Sequence, residues 1–391
     1  MTKQPSPKGS ARAPEKVALV LQGGGALGSY QAGVYASLAD ANYLPDWVAG
    51  ISIGAINAAI IAGNPPETRV AQLRKFWEQI TTPSAGWPSG VFQMFEPMRR
   101  QTAAHSALFF GQDGFFSPRK MHEWTAATKP ISYYDTTALK ATLEDLVDFD
   151  RINSTTEPRL SVGAVNVRTG RFAYFDSTNI AIRAEHIMAS GALPPGFPAV
   201  EIDGEHYWDG GIVSNTPLAY VLDQLPRRSR LTFQVDVFQA YGLIPTTLDE
   251  VTEREKDIRY ASRTRMNTDI FGDKHEVSHA INELFDLLPP ELAKSPQAQK
   301  LYKMGCVTQM DIVQLIYRPF ARQGPQKDYE FSRLTMDQRW TQGQLDAQAT
   351  LDAAPWLAPK TQEVGVRVFD VQHDQMVAKR KAATGLNKGS T

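Results

Sequence analysis

The sequence predicts an α/β protein whose central sheet is mostly parallel. The first observation is a pair of short apolar runs, Val17–Leu21 and residues 47–51, with the aliphatic composition of strands buried on both faces. The second is the helical spacing of apolar side chains between them, over residues 29–41. The third is a glycine-rich turn after each run, at residues 22–28 and 50–54. Together they predict a strand–helix–strand unit with two parallel strands.

Composition excludes several classes of protein. The 391 residues are enough for a large buried core, and a formal net charge of −1 argues against a nucleic-acid binder. A single cysteine, Cys306, excludes an intrachain disulfide and a cysteine-rich metal site. Residues 1–16 lack the apolar core of a secretory signal, and no apolar run approaches the roughly 20 residues that span a bilayer. We expect a soluble cytoplasmic protein with a disordered tail over residues 1–15.

Residues 22–28, Gln-Gly-Gly-Gly-Ala-Leu-Gly, follow the first predicted strand and fit two functions. The spacing of Gly23, Gly25 and Gly28 matches a dinucleotide-binding turn. That function needs an acidic residue at the end of the second strand, whereas Asp46 lies at its start. The other function is an oxyanion hole, in which backbone N–H groups of consecutive glycines hold the carbonyl oxygen of an ester. We favour the oxyanion hole and keep dinucleotide binding as the weaker alternative.

The second turn has the pattern Gly-x-Ser-x-Gly and stands between a predicted strand and a predicted helix over residues 55–62. This context is typical of a nucleophile elbow. Gly50 and Gly54 let the strand and the helix pass closely, and the serine lies at the helix N-terminus, where negative charge is favoured. The pattern predicts that Ser52 is a nucleophile that attacks an ester.

Ser52 needs a base, and a histidine is the usual one. Any of the seven histidines could in principle complete a Ser–Asp–His arrangement. His373 has the late position that is usual in such hydrolases, but its surroundings are polar and undistinctive.

Asp209 is a better candidate for the base. It ends a predicted hairpin over residues 201–208 and is followed by Gly210 and Gly211, which permit a backbone bend. Desolvation there would raise the basicity of its carboxylate, which could then accept the proton of Ser52 directly.

These motifs, in this order, resemble those of the patatin-like phospholipases, a family of lipid acyl hydrolases. The resemblance spans about residues 17–238. It is carried by the glycine loop at 23–28, the elbow at 50–54, the Ala-Ser-x-Ala-x-Pro segment at 189–194 and the Asp-Gly-Gly motif at 209–211. The chain departs from the family at Leu27, where a basic residue is frequent, but this leaves the backbone donors unchanged.

The resemblance implies a three-layer α/β/α fold and a catalytic dyad, with Ser52 as nucleophile and Asp209 as general base. Gly23, Gly24 and Gly25 would form the oxyanion hole, and no metal or cofactor would be needed. The substrate would be a fatty-acid ester of the phospholipid or lysophospholipid class. A non-catalytic lipid-binding protein on the same fold is the alternative.

The remaining segments predict the outline of the molecule. We expect a catalytic domain over residues 16–240, in which the aromatic-rich residues 81–118 form a packed insertion or a lid. A largely helical extension over residues 241–378 would pack on this domain and either extend or cover its sheet. Residues 379–391 resemble a second disordered tail. Further elements are expected at residues 67–80, 139–147, 159–175, 218–222, 231–238, 312–316 and 333–353.

The predicted helix at residues 253–265 carries five basic side chains, which could contact an anionic membrane surface. Acidic side chains alternate with them, so we favour a solvated helix face. Peripheral membrane contact stays open, as does the oligomeric state.

Overall fold

A computed structural model describes residues 16–81, 96–125, 129–154, 158–224, 228–305, 308–319, 322–359 and 365–383. The predicted tail at residues 1–15, most of the predicted tail at 379–391, and Cys306 lie outside these ranges.

The strands and helices of the described residues are numbered in chain order. The strands are β1 (Val17–Leu21), β2 (Trp47–Gly50), β3 (Ser117–Pro118), β4 (Tyr134–Asp135), β5 (Arg159–Asn166), β6 (Phe172–Asp176), β7 (Val200–Ile202), β8 (Glu205–Asp209), β9 (Arg230–Asp236), β10 (Met310–Ile316) and β11 (Val366–Phe369). The α-helices are α1 (Gly28–Asp40), α2 (Ile53–Ala62), α3 (Arg69–Gln79), α4 (Glu96–Phe110), α5 (Met121–Thr125), α6 (Thr137–Leu146), α7 (Phe149–Ile152), α8 (Ala184–Ser190), α9 (Leu218–Asp223), α10 (Leu248–Asp286), α11 (Pro290–Ala293), α12 (Pro296–Tyr302), α13 (Arg333–Ala353) and α14 (Val371–Ala383).

One large sheet organises the fold. Its strand order is β11-β10-β9-β1-β2-β5-β8-β7, and β6 also pairs with β5. The strands from β11 to β5 in this order pair in parallel. The pairs β5–β6, β5–β8 and β7–β8 are antiparallel. The predicted mostly parallel sheet is confirmed, as is the parallel pairing of β1 with β2.

Helices cover both faces of this sheet. Because strand side chains alternate between faces, Val17, Leu19 and Leu21 pack in a cluster with residues of α1, α2 and α13. Ala18 and Val20 instead pack with residues of α9 and α10 on the other face. This is the predicted three-layer α/β/α arrangement.

The residues after position 240 both extend and cover the sheet. Strands β10 and β11 continue it beyond β9, and α13 lies along α1. The two helices meet at glycines, because a Cβ atom on Gly33 would overlap the carbonyl oxygen of Trp340, and one on Gly343 that of Tyr30. Close contact of the two backbones therefore depends on both glycines.

Three segments differ from the sequence prediction. Residues 96–110 belong to the predicted insertion, in which no helix was predicted, but they form α4. The run from Met98 to Leu108 lacks glycine and proline and has good helix formers. The helix predicted at 253–265 is part of the much longer α10. Helix α14 continues to Ala383, into the segment predicted as a tail.

None of the helices in the described ranges combines the length and the apolar character that a bilayer-crossing helix requires.

Candidate active site

Ser52 stands in a sharp turn between β2 and α2. Its backbone has φ 55° and ψ −123°, a conformation that L-residues rarely adopt and that marks local strain. The turn is possible because Gly50 and Gly54 flank it: a Cβ atom on Gly50 would overlap the carbonyl oxygen of Gly54. The side chain of Ser52 therefore projects from the first turn of α2, as expected for a nucleophile elbow.

Ser190, the last residue of α8, holds this turn through its side-chain hydroxyl. The amide N–H of Ser52 donates a hydrogen bond to Ser190 Oγ at 3.0 Å. Ser190 Oγ in turn donates to the carbonyl oxygen of Gly163 in β5 at 2.7 Å. The Ser190 hydroxyl thus connects the strained residue to the neighbouring strand.

Asp209 is the last residue of β8 and pairs with Ala164 of β5. Its side chain is buried, and Oδ1 accepts a hydrogen bond from the N–H of Gly211 at 2.6 Å. The side chain of Ser52 lies close enough to this carboxylate to affect its pKa. Burial raises the pKa of Asp209 to about 6, and the Ser52 side chain and the hydrogen bond from Gly211 oppose that rise.

The Asp-Gly-Gly motif brings the strand end close to β5. A Cβ atom on Gly210 would lie 2.6 Å from the carbonyl oxygen of Gly163, which is too close for any larger residue without movement. A Cβ on Gly211 would lie 3.0 Å from Asp209 Oδ1. The two glycines therefore permit the backbone to wrap around the carboxylate.

The glycine loop, residues 22–28, lies beside Ser52. A Cβ atom on Gly23 would be 3.2 Å from Cβ of Ser52. The N–H of Gly23 donates to the carbonyl oxygen of Asn215 at 3.0 Å, so this amide is engaged. Within the described part of the chain, no acceptor is found for the N–H groups of Gly24 and Gly25. These two amides are available to a bound group.

The side chains of Asn215 and Gln22 hold the start of the loop. Asn215 Nδ2 donates to the carbonyl oxygen of Gly23 at 2.9 Å. Gln22 Oε1 accepts from the N–H groups of Val237 and Phe238, at 2.7 and 3.0 Å, just after β9. The loop is thereby tied to both the Asp209 segment and the end of β9.

The C-terminal part of the chain holds the other end of the loop. The N–H of Ala26 donates to the carbonyl oxygen of Asp328 at 2.7 Å. The same carbonyl oxygen lies directly against Gly25. Arg339 of α13 donates to the carbonyl oxygen of Ala26 at 3.0 Å and to that of Lys327 at 2.8 Å. Since Arg339 is 1% exposed, its guanidinium is an internal link between the loop and residues 323–332.

Two family models match this chain. A model for patatin-like phospholipases matches residues 19–222, slightly more than half of the chain. A second model, described as patatin phospholipase, matches residues 258–363. The chain belongs to the patatin-like phospholipase family. The predicted family is confirmed.

A curated relative is the patatin-like phospholipase domain-containing protein ZK370.4 of Caenorhabditis elegans, 31% identical over 107 residues. The match covers 27% of this chain and only 7% of the nematode protein.

Solved structures of three proteins resemble the patatin-like chain at low scores. VipD from Legionella pneumophila has 15% identity and a TM-score of 0.40, covering 95% of this chain and 75% of VipD. The ExoU–SpcU complex of Pseudomonas aeruginosa has 18% identity and a TM-score of 0.31, with coverages of 75% and 58%. Human GIVD cytosolic phospholipase A2 has 12% identity and a TM-score of 0.30, with coverages of 56% and 42%. Likenesses this weak say nothing about substrate.

The structure brings Ser52, Asp209 and the glycine loop close together. Among the described residues, no hydrogen bond joins a histidine to Ser52 or Asp209; His373 stacks on Tyr241 instead, with ring centroids 5.2 Å apart.

Four supporting residues were not predicted as part of the site: Gln22, Ser190, Asn215 and Arg339. Ser190 and Gln22 stand inside or next to recognised motifs, so their positions were a usable signal. Arg339 lies in a half-polar helical segment, more than 300 residues from the loop, and no local pattern marks it.

Proposed function

We propose that the protein is a serine lipid acyl hydrolase that cleaves carboxylic esters of fatty acids, of the phospholipid or lysophospholipid class. The observation that supports this most directly is the interaction of the Ser52 side chain with the buried Asp209 carboxylate. It lies beside the two unengaged amides of the glycine loop. A nucleophile, a base and oxyanion donors are the three groups that acyl transfer requires.

In the first step, Asp209 accepts the hydroxyl proton of Ser52 while Oγ attacks the ester carbonyl. The N–H groups of Gly24 and Gly25 stabilise the negative charge that forms on the carbonyl oxygen. Gly23 was expected to be a third donor, but its N–H is engaged by Asn215, so we restrict the proposed oxyanion hole to Gly24 and Gly25.

In the second step, the alcohol leaves with the proton from Asp209, and the acyl group stays on Ser52. Water loses a proton to Asp209 as it attacks this acyl-serine. Asp209 then returns that proton to Ser52 Oγ as the acyl–oxygen bond breaks and the fatty acid is released. A carboxylate with a pKa of about 6 is ionised at neutral pH. It is also a stronger base than an exposed aspartate, whose pKa is about 3.9.

An exposed aromatic surface near the site supports a lipid substrate. It comprises Phe109, Phe110, Met121, Ile131 and Tyr133, all more than half exposed. The N–H of Tyr133 donates to the carbonyl oxygen of Pro195, three residues beyond the Ala192 carbonyl that accepts from Asp209 N–H. We propose that this surface contacts lipid aggregates or a membrane, because large exposed apolar patches mark interaction sites.

The proposal is tested with Ser52→Ala, Asp209→Asn and the exposed control Asp203→Asn, assayed on a short-chain p-nitrophenyl ester. We expect Ser52→Ala to lower kcat by at least about 10³-fold and Asp209→Asn by about 10² to 10⁴-fold. Asp203→Asn should keep full activity, since its side chain is 81% exposed in a hairpin turn. Full activity of a folded Ser52 or Asp209 variant would refute the dyad.

A fluorophosphonate probe separates catalysis from lipid binding alone. An active enzyme should be labelled at Ser52, and Ser52→Ala should remain unlabelled. A wild-type protein that binds lipid without being labelled would support the non-catalytic alternative, and tight NAD(P) or FAD binding would support the dinucleotide alternative.

A further inference from the structure

A cavity of about 260 Å³ lies at the edge of the sheet opposite the proposed active site. Its lining includes Lys16, Trp47, Arg159 and Arg230, which precede β1 or begin β2, β5 and β9. Ser52 and the glycine loop follow the other ends of these strands. The cavity is therefore a separate site, and the proposed function does not depend on it.

The lining of this cavity is strongly cationic. Four of its side chains, those of Lys16, Arg159, Arg228 and Arg230, are positive, and Asp46 is the acidic one. Arg159 is neutralised by Asp176, at 2.6 Å, and Lys16 lies 3.9 Å from Asp46. Within the described residues, this leaves Arg228 and Arg230 without an acidic hydrogen-bond partner.

Arg230 contributes a buried donor atom that has no hydrogen-bond acceptor among the described residues. Its guanidinium packs over the ring of Trp47, 4.9 Å from the centroid, and its Nη1 is buried with no acceptor in the described part of the chain. Burial, and then the charges of Arg159 and Arg228, lower the pKa of Arg230, while Asp46 acts in the other direction. Buried charged donors are normally paired, so this guanidinium is arranged for an anion that the protein does not supply.

We propose that the cavity binds the phosphate group of a small phosphate-containing molecule or of a lipid headgroup. Two guanidinium groups suit a phosphate, because their planar donors match its oxygen atoms. The volume lies below the range of about 300–1,000 Å³ that is usual for drug-sized ligands, which favours a compact anion. Val221 and Met310 add an apolar part to the lining, which could contact a small uncharged substituent of the ligand.

The first experiment measures binding of inorganic phosphate to the full-length protein by calorimetry and by thermal unfolding, at constant ionic strength with chloride as the reference. We expect phosphate to bind the wild type and to raise its Tm. Arg230→Gln should abolish both effects. The exposed Arg228→Gln, which removes no buried contact, should raise the Kd about tenfold. The matched control Arg171→Gln, in the exposed β5–β6 turn, should behave as wild type.

The second experiment identifies the source of the phosphate. Vesicles of phosphatidylcholine with and without phosphatidic acid are tested by flotation, with free phosphate as competitor. Binding to phosphatidic acid that phosphate and Arg228→Gln both reduce would support a lipid headgroup. Phosphate binding without vesicle binding would support a free small phosphate. The proposal is overturned if wild type binds neither, or if Arg228→Gln and Arg230→Gln both bind as tightly as wild type.

Discussion

Asp209 is a buried carboxylate that must be charged in order to work as the proposed base. The same desolvation that raises its pKa to about 6 makes it a better proton acceptor and makes its charged form costly. Burial of Asp209 therefore increases the basicity of its carboxylate and decreases the stability of the folded protein. Such perturbed groups are common at functional sites.

The first prediction at this scale concerns the pH dependence of hydrolysis. Only the ionised form of Asp209 accepts a proton, so kcat/KM on a soluble ester should be constant well above pH 6. It should fall about tenfold per pH unit below that value. The measurement is a pH–rate profile at several temperatures. A midpoint that shifts strongly with temperature would indicate a histidine base and contradict the assignment.

Because the pKa of Asp209 is raised in the folded protein, the free energy of unfolding should decrease as the pH rises. In the unfolded chain Asp209 ionises near pH 4, whereas in the folded protein it keeps its proton to about pH 6. Ionisation therefore costs the native state up to about 3 kcal/mol as the pH rises through that window. Asp209→Asn should raise the free energy of unfolding relative to wild type at pH 8 and leave it unchanged at pH 4, as measured by denaturant unfolding.

The residues proposed to react could be inferred from sequence motifs because the proposed roles require special local geometry. Ser52 needs a turn between two glycines, and Asp209 needs a backbone that bends immediately after it. Such requirements leave a pattern within a few positions. Ser190 and Asn215 act through contacts with other elements and need no special local geometry. The residue type alone therefore does not reveal their roles, although Ser190 stands inside a recognised motif.

At the scale of elements, the glycine loop is held at both of its own ends, mostly by residues that are distant from it in the sequence. Asn215 and Gln22 fix its start, while the Asp328 carbonyl and the Arg339 guanidinium fix its end. Helix α10 supports the second pair, because Lys256 and Asp257 form ion pairs with Asp328 and Lys327, at 2.7 and 2.5 Å. Residues matched by the second family model thus help to position the glycine loop, which lies in the segment matched by the first model.

Arg339 is accordingly predicted to be a positioning residue. Arg339→Met should lower kcat on a soluble ester by about 10- to 100-fold with little change in KM, because the Gly24 and Gly25 amides lose their alignment. Arg339→Lys should restore only part of the activity, since one ammonium cannot replace the planar set of donors.

Arg69→Met is the matched control for that experiment. Arg69 is also buried and donates to a backbone carbonyl, that of Asn64 at 2.9 Å, but it does not contact the glycine loop. Both variants should lose roughly 3 kcal/mol of stability. If Arg69→Met lowers kcat as much as Arg339→Met does, the role of Arg339 is only structural.

The predictability of the elements also has a physical basis. Strands β1, β2, β9 and β10 were predicted because strands buried on both faces are short continuous apolar runs. Helix α4 was missed because its exposed aromatic residues and nearby prolines resemble an irregular segment. The single long α10 was missed because its polar composition gives no strong apolar face, so only parts of it show helical spacing.

At the scale of the whole molecule, the proposed active site and the cationic cavity lie at opposite edges of one sheet. The aromatic surface adjoins the first of these edges. A lipid aggregate on that surface would bring its ester groups toward Ser52, whereas the cavity would remain accessible to a different ligand. If both proposals hold, the two binding functions lie at opposite ends of the parallel strands.

The aromatic surface yields the last prediction. The double variant Phe109→Ser/Phe110→Ser should hydrolyse long-chain phospholipid in vesicles at least about tenfold more slowly, because two large apolar side chains no longer enter the lipid. Its kcat on a soluble short-chain ester should stay within about twofold of wild type. Leu287→Ser, which removes a comparably exposed side chain on another part of the molecule, is the control. Equal losses on both substrates would contradict a lipid-contact role.

The link from Arg339 to the glycine loop has a consequence for biosynthesis. Ribosomes make the loop and Ser52 among the first 60 residues, but the guanidinium that completes the loop's hydrogen bonds comes almost 300 residues later. A growing chain therefore carries its nucleophile long before its glycine loop is fully supported. The proposed hydrolytic activity should arise only late in translation, when α13 has docked against α1.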